Sequence, residues 1–254
     1  MSGQDLYRKF HGASVETDWF RVVKLYELCQ SVPGLHAPRP VKIDLEWKGI
    51  EYERVDCTNP LMHSAGDLIE VFHYFGQRLA QFHLHAANHG GSFAHGEETV
   101  SLLTKIGLDR DDASELNRQL PRSFLHGDCW HGNVFVTKPR SFLILDPLPA
   151  AWFRPILPAL GNSSLDVAYF IFSTKLRLPL FNLAMRRAHY SNQLAHSALD
   201  GYLSKMRAQA CKSLILKLSH ILATIWLDEY PRRLIFPIGQ VKRFIGYKKL
   251  DTKT

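Results

Sequence analysis

Asp128 lies within the run His126-Gly127-Asp128-Cys129-Trp130-His131-Gly132-Asn133, and Asn133 opens a pair of short apolar runs. These are Asn133-Val134-Phe135-Val136 and Phe142-Leu143-Ile144-Leu145, with the turn-like Lys138-Pro139-Arg140 between them and Asp146 directly after the second. Two such runs about a turn read as a β-hairpin. Because its strands are antiparallel, the start of the first and the end of the second meet at one edge. Asp128, Asn133 and Asp146 therefore converge there. Two carboxylates and an amide at one edge suit phosphoryl transfer. Asn133 and Asp146 carry the oxygen donors that magnesium accepts, one or two from protein and the rest from phosphate and water. Asp128 is placed to orient an attacking hydroxyl and take its proton.

The surrounding sequence predicts the elements that hold this edge. Residues 1–58 read as a small mixed unit, with a strand at Leu6-Tyr7-Arg8-Lys9-Phe10 ending at the turn His11-Gly12. A helix capped by Thr17 or Asp18 follows, with apolar residues at 19, 22, 23 and 26 and a stop at Pro33-Gly34. Two strands, Val41 to Trp47 and Ile50 to Val55, are joined at Lys48-Gly49, and Asp56 to Gly66 forms a linker. Residues 59–254 read as a mainly helical unit. Leu68, Val71, Phe72, Phe75, Leu79, Phe82 and His83 give Asp67 to Ala87 one apolar face. His83 on that face reads as a hydrogen-bonded core histidine. Asn88 to His95 forms a loop, a shorter helix spans Val100 to Ile106, and a last helical region starts from a cap at Ser163 or Ser164.

His-Gly-Asp-x-x-x-Gly-Asn followed by an apolar strand ending in Asp resembles the catalytic core of the aminoglycoside phosphotransferase and choline kinase group. The likeness extends to Gly76-Gln77-Arg78-Leu79-Ala80-Gln81-Phe82-His83, similar to the helix before that core, and to Leu165-Asp166-Val167-Ala168 after it. Glu53-Arg54-Val55 resembles the hinge whose backbone receives adenine, and Leu6 to Gly12 the strand with a phosphate-holding lysine, here Lys9. The resemblance implies an α+β, protein-kinase-like bilobal fold, with a shortened N-terminal nucleotide-binding lobe at 1–58 and a helical C-terminal lobe at 59–254 carrying the catalytic loop and acceptor site. It implies ATP and Mg2+ as cofactors, Asp128 as catalytic base, and Asn133 and Asp146 as magnesium ligands. Lys9, Glu53 and Val55 would bind the nucleotide, Asp166 would brace the loop, and His126 would support it.

Two departures from that pattern bear on function. Only eight residues precede Lys9, where the group places two strands and a phosphate-covering loop, so a full nucleotide lid is not expected. The helix that ordinarily offers a Glu to the lysine aligns Arg21 there. The leading expectation is an ATP-dependent small-molecule kinase acting on a hydroxyl of a sugar, amino alcohol or glycan precursor; the alternative is a non-catalytic pseudokinase. His126, Cys129 and His131 also have zinc-compatible spacing, without an obvious fourth ligand. Trp130 either packs under the loop or lines the acceptor site.

The 254 residues, 46% hydrophobic, suffice for a sizeable core. Cys29, Cys57, Cys129 and Cys211 form no CxxC pair, and the start MSGQDLYRKF has no apolar leader, which together predict a cytoplasmic protein. The most apolar stretch, Ser213 to Trp226, reads as a buried helix too short to span a bilayer. The net charge of +7 is concentrated C-terminally in Arg186, Arg187, Lys205, Arg207, Lys212, Lys217, Arg232, Arg233, Lys242, Arg243, Lys248 and Lys249. They are dispersed rather than run together, so nucleic acid is not the expected partner. The charge favours a neutral or anionic acceptor over a cationic one.

Overall fold

The structure is a computed structural model that describes residues 6–10, 14–60, 65–89, 96–147, 159–182 and 191–229. The expected turn at His11-Gly12, most of the Asn88 to His95 loop, Leu148-Pro149, and the basic residues Arg186, Arg187, Arg232, Arg233, Lys242, Arg243, Lys248 and Lys249 lie outside those residues.

The first unit consists of β1 (Leu6–Phe10), α1 (Val15–Gln30), β2 (Leu35–His36), β3 (Pro40–Asp44) and β4 (Gly49–Glu53). β4 pairs antiparallel with both β1 and β3 in the order β1-β4-β3, setting Tyr7 opposite Tyr52 and Lys9 opposite Ile50. The β3 strand stops at Asp44, short of the expected Trp47, because the Asp44 side chain accepts the Trp47 N–H at 2.8 Å and closes a turn. Lys48 completes that turn at φ 57. Helix α1 starts ahead of the expected cap and ends before Pro33-Gly34, where Gly34 takes φ 75. Val15 and Val22 pack with Ile50 and Tyr52 in a small core under the sheet. On its other side, Leu25, Leu28 and Cys29 join a second, much larger core.

The remaining elements are α2 (Ala65–His89), α3 (Gly96–Ile106), α4 (Arg110–Gln119), β5 (Arg122–Phe124), β6 (Val134–Lys138), β7 (Ser141–Ile144), β8 (Leu160–Asn162), α5 (Ser164–Asn182), α6 (Ser191–Met206) and α7 (Lys212–Glu229). The hairpin of β6 and β7 forms as its sequence predicts, with Val134 opposite Ile144. It is held on both edges: β2 pairs parallel with β7, and Thr58 exchanges two main-chain hydrogen bonds with Val136 at 2.8 and 2.9 Å. Alternation along β7 sends Phe142 against Phe75 of α2, which in turn packs on Phe170 of α5. The elements α4, β5 and β8 were not expected from the sequence.

Gly76 of α2 and Gly201 of α6 explain why those two helices pack so closely. A Cβ on Gly76 would stand 1.9 Å from the Ala198 carbonyl oxygen, and one on Gly201 2.0 Å from that of His73. The backbones touch where side chains would have held them apart. The segment Gln209–Asp228, which includes most of α7, is long and apolar enough to cross a membrane by length and composition, correcting the expectation that this stretch is too short. In this fold its Ile215, Leu218, Leu222, Ala223 and Trp226 are buried in the large core.

Gly76→Ala and Gly201→Ala should each lower the unfolding free energy by about 1–3 kcal/mol through overpacking, although alanine is the better helix former by about 1 kcal/mol. Urea unfolding of each variant checks this; a gain in stability would show that the helices separate without cost.

Candidate active site

The loop from His126 to Asn133 is placed by two short strands. β5 leads into it and β8 leads into α5, and their antiparallel pairing, Arg122 with Asn162 and Phe124 with Leu160, brings the loop's start beside the first turn of α5. Asn162 fixes that junction. Its amide nitrogen donates to the carbonyls of Leu116 and Leu120 at 3.2 and 3.1 Å, and its oxygen accepts the Ser164 N–H at 3.0 Å. Asp166, fully buried one turn on, accepts the His126 N–H at 2.6 Å and the Gly127 N–H at 2.9 Å. Gly127 has φ 81, a conformation that glycine adopts without penalty. Behind Asp166, His83 Nε2 lies 3.1 Å from the carboxylate and His83 Nδ1 lies 3.0 Å from the Tyr202 hydroxyl. The core histidine expected on α2 is thus part of the network that holds the loop. Burial alone would raise the Asp166 pKa, but the hydrogen bonds with His83 and the Gly127 N–H hold it below the usual carboxylate range.

His126 is also buried. Its Nδ1 accepts the Asp128 N–H at 3.3 Å, so the neutral ring carries its proton on Nε2. Burial pulls its pKa down, outweighing Asp166 and the Leu145 backbone, which favour the charged form. Asp128 is partly exposed, and both its carboxylate oxygens are held. Tyr169 donates its hydroxyl to one at 2.7 Å, and Asn133 donates its amide to the other at 3.0 Å and to the Asp128 carbonyl at 3.0 Å. With the Asn133 nitrogen committed to Asp128, its side-chain oxygen is the atom left to accept. Trp130 packs on the loop: a Cβ on Gly132 would meet its ring at 2.3 Å, which favours the packing reading.

The Leu145 N–H donates to the Asn133 carbonyl at 2.9 Å, which brings Asp146 beside the loop. Asp146 has φ 57, in the left-handed region that costs a non-glycine residue energy. Its carboxylate forms an ion pair with Lys9 of β1. Arg21, at the position where the resembled group carries a Glu, donates its Nε–H to the Pro147 carbonyl at 3.0 Å. Tyr7, two residues before Lys9 and so on the same strand face, stacks on Tyr52 at 5.0 Å. Burial, with Asp146 nearby, raises the Tyr7 phenol's pKa. A cleft of about 410 Å³ opens beside it, lined by Tyr7, Pro38, Arg54, Val55, Cys57, Leu143 and Leu145. Val55 therefore reaches the cleft, whereas Glu53 ends β4 with its N–H given to the Arg39 carbonyl at 2.9 Å.

Among the described residues no group of three or more His, Cys, Asp or Glu gathers as a metal cluster. His126, Cys129 and His131, whose spacing is zinc-compatible, form no such cluster. Asn133 and Asp146 instead present oxygen donors at one edge. That set fits a hard cation completing its shell with phosphate and water.

No protein-family model matches this sequence, and no curated protein matches it. Solved structures do. A choline/ethanolamine kinase family protein from Mesorhizobium loti aligns with a TM-score of 0.54 and 11% identity, over 95% of this chain and 80% of that one. The choline kinase LicA from Streptococcus pneumoniae aligns with a TM-score of 0.52 and 11% identity, over 97% of this chain and 86% of that one. The α+β kinase-like fold expected from the sequence is the fold the chain has.

Removing the Asp166 carboxylate leaves two buried N–H groups and His83 without their acceptor. Asp166→Ala should therefore cost about 3–5 kcal/mol in denaturant unfolding. His126 gives a pH signature. Its folded pKa lies below the unfolded value, so the unfolded chain takes up the proton first and stability falls as pH drops below about 6.5. Unfolding measured between pH 7.5 and 5.5 should show that slope, with a shallower one in His126→Gln.

Proposed function

We propose that the chain binds ATP with magnesium between a small N-terminal lobe and the helical remainder, and passes the γ-phosphoryl group to a hydroxyl of a small molecule. The observation that carries this reading is the ion pair of Lys9 with Asp146, which follows the cleft residue Leu145, whose N–H is bound to the Asn133 carbonyl, beside Asp128. Cationic, metal-binding and proton-accepting groups are then arranged along one path.

In this reading the adenine enters the cleft beside Tyr7, Val55, Leu143 and Leu145, with the backbone from Glu53 to Val55 as its edge. Lys9 holds the phosphates. Asn133 through its free oxygen and Asp146 through its carboxylate hold magnesium, which neutralises charge on the phosphates. Asp128, aligned by Tyr169 and Asn133, orients the acceptor hydroxyl and takes its proton, and His126 keeps the Asp128 backbone in register. Asp166 fixes the loop from below. The acceptor is proposed to be a sugar, amino alcohol or glycan precursor, neutral or anionic as the net charge favours. Both named neighbours are choline or ethanolamine kinase proteins by name, which supports a small-molecule alcohol as the class.

The pseudokinase reading has its own observation: Lys9 already pairs with Asp146, and Arg21 stands where a helix Glu would engage the lysine. One experiment separates the two. ATP turnover with magnesium across a panel of hydroxyl acceptors should be detectable in the parent and fall by roughly 10²–10⁴-fold in Asp128→Ala, with a comparable loss in Asp146→Ala. Equal rates in all three would remove the mechanism. Thermal stabilisation by Mg·ATP without turnover of any acceptor would favour the pseudokinase.

A further inference from the structure

We propose that Arg21 is a positioning residue for Asp146, tying helix α1 to the cation-binding side of the site by its bond to the Pro147 carbonyl. The inference rests on the reading of Asn133 and Asp146 as ligands of a divalent cation. It starts from a conformational problem. Asp146 sits at φ 57, where a non-glycine residue stays only if its surroundings hold it. On its N-terminal side, the Leu145 N–H is bound to the Asn133 carbonyl. On its C-terminal side stands Pro147, which has no N–H, so its carbonyl is the main-chain group by which that flank can be tied. Arg21 Nε takes that carbonyl at 3.0 Å across 126 residues of sequence. The strained residue is therefore clamped on both sides, once by the loop that carries Asn133 and once by α1.

The chemistry of the clamp suits the task. A guanidinium stays charged at any working pH, so the bond persists where a histidine or a lysine with a shifted pKa would lose it. It also brings positive charge near the edge without requiring the Asp146 carboxylate, which is engaged by Lys9. The same charge disfavours protonation of His126, so Arg21 lies within electrostatic reach of the loop as well. In the group the sequence resembles, the helix grips the phosphate-holding lysine through a Glu, a residue this chain replaces with Arg21. Here it grips the residue after the metal-binding aspartate. Movement of α1 is thereby transmitted to Asp146.

The test is thermal stabilisation by ADP as Mg2+ is titrated, with a parallel ADP titration in EDTA. Arg21→Ala and Arg21→Gln should raise the Mg2+ concentration for half-maximal stabilisation by roughly tenfold, the scale typical of groups that orient metal ligands. Their response to ADP in EDTA should stay unchanged. Arg21→Lys, which keeps a cationic donor for the carbonyl, should recover part of the loss, and Lys9→Ala should weaken ADP binding even in EDTA. A parent that responds to Mg2+ with ADP while Arg21→Gln shows the same half-point overturns the proposal and leaves the nucleotide site standing. A parent with no response to ADP at any Mg2+ concentration removes the nucleotide reading and this inference together. Should Arg21→Ala fail to fold, the Gln and Lys variants decide the matter.

Discussion

A carboxylate with no access to water must find every one of its hydrogen bonds within the protein, and Asp166 is that carboxylate. It meets the demand from two directions. On one side stand His83 of α2 and, behind it, Tyr202 of α6; on the other are the main-chain amides of His126 and Gly127. The three partners come from segments far apart in the chain, so the charge can be satisfied only when the helical core has assembled around the loop. Loop geometry is then a consequence of core packing. The glycine crossing of α2 and α6 belongs to the same chain of dependence, because it sets how near His83 and Tyr202 stand.

From that anchor the remaining geometry follows in order. The loop leaves Asp166 through Gly127, turns Asp128 toward Tyr169 and Asn133, and ends on the hairpin. The hairpin returns the chain to Asp146 beside the place it left, and β2 and Thr58 stop it from sliding. There the N-terminal unit adds Lys9 from β1 and Arg21 from α1. The site thus runs from the fully buried Asp166 to the Lys9–Asp146 pair, which is partly open to solvent.

What the sequence disclosed was whatever is contiguous or periodic. The loop and hairpin were legible because their signals lie within a few residues of one another, and α2 because its apolar stripe runs for several turns. Helix α4 was not, since Ala113 and Leu116 are its buried residues in an otherwise polar segment. The strands β5 and β8 are three residues each, too short for alternation to register. Tyr169 could have been found, being one turn beyond Asp166 on the same helix face. Arg21 could not: its partner is a main-chain carbonyl, and a carbonyl leaves no trace in residue type. With Arg21 in place of the helix Glu, Lys9 pairs instead with Asp146, a pairing set by tertiary approach.

Cys57 gives the cleft a practical use. Of the four cysteines, Cys29, Cys129 and Cys211 are buried and Cys57 alone is exposed, on the wall formed with Tyr7 and Val55. Burial and the neighbouring Asp56 raise its thiol pKa, so it reacts slowly near neutrality and more readily in mild alkali. A thiol-directed fluorophore would therefore attach at one place in the unaltered protein. Its emission would report directly on whatever enters beside it.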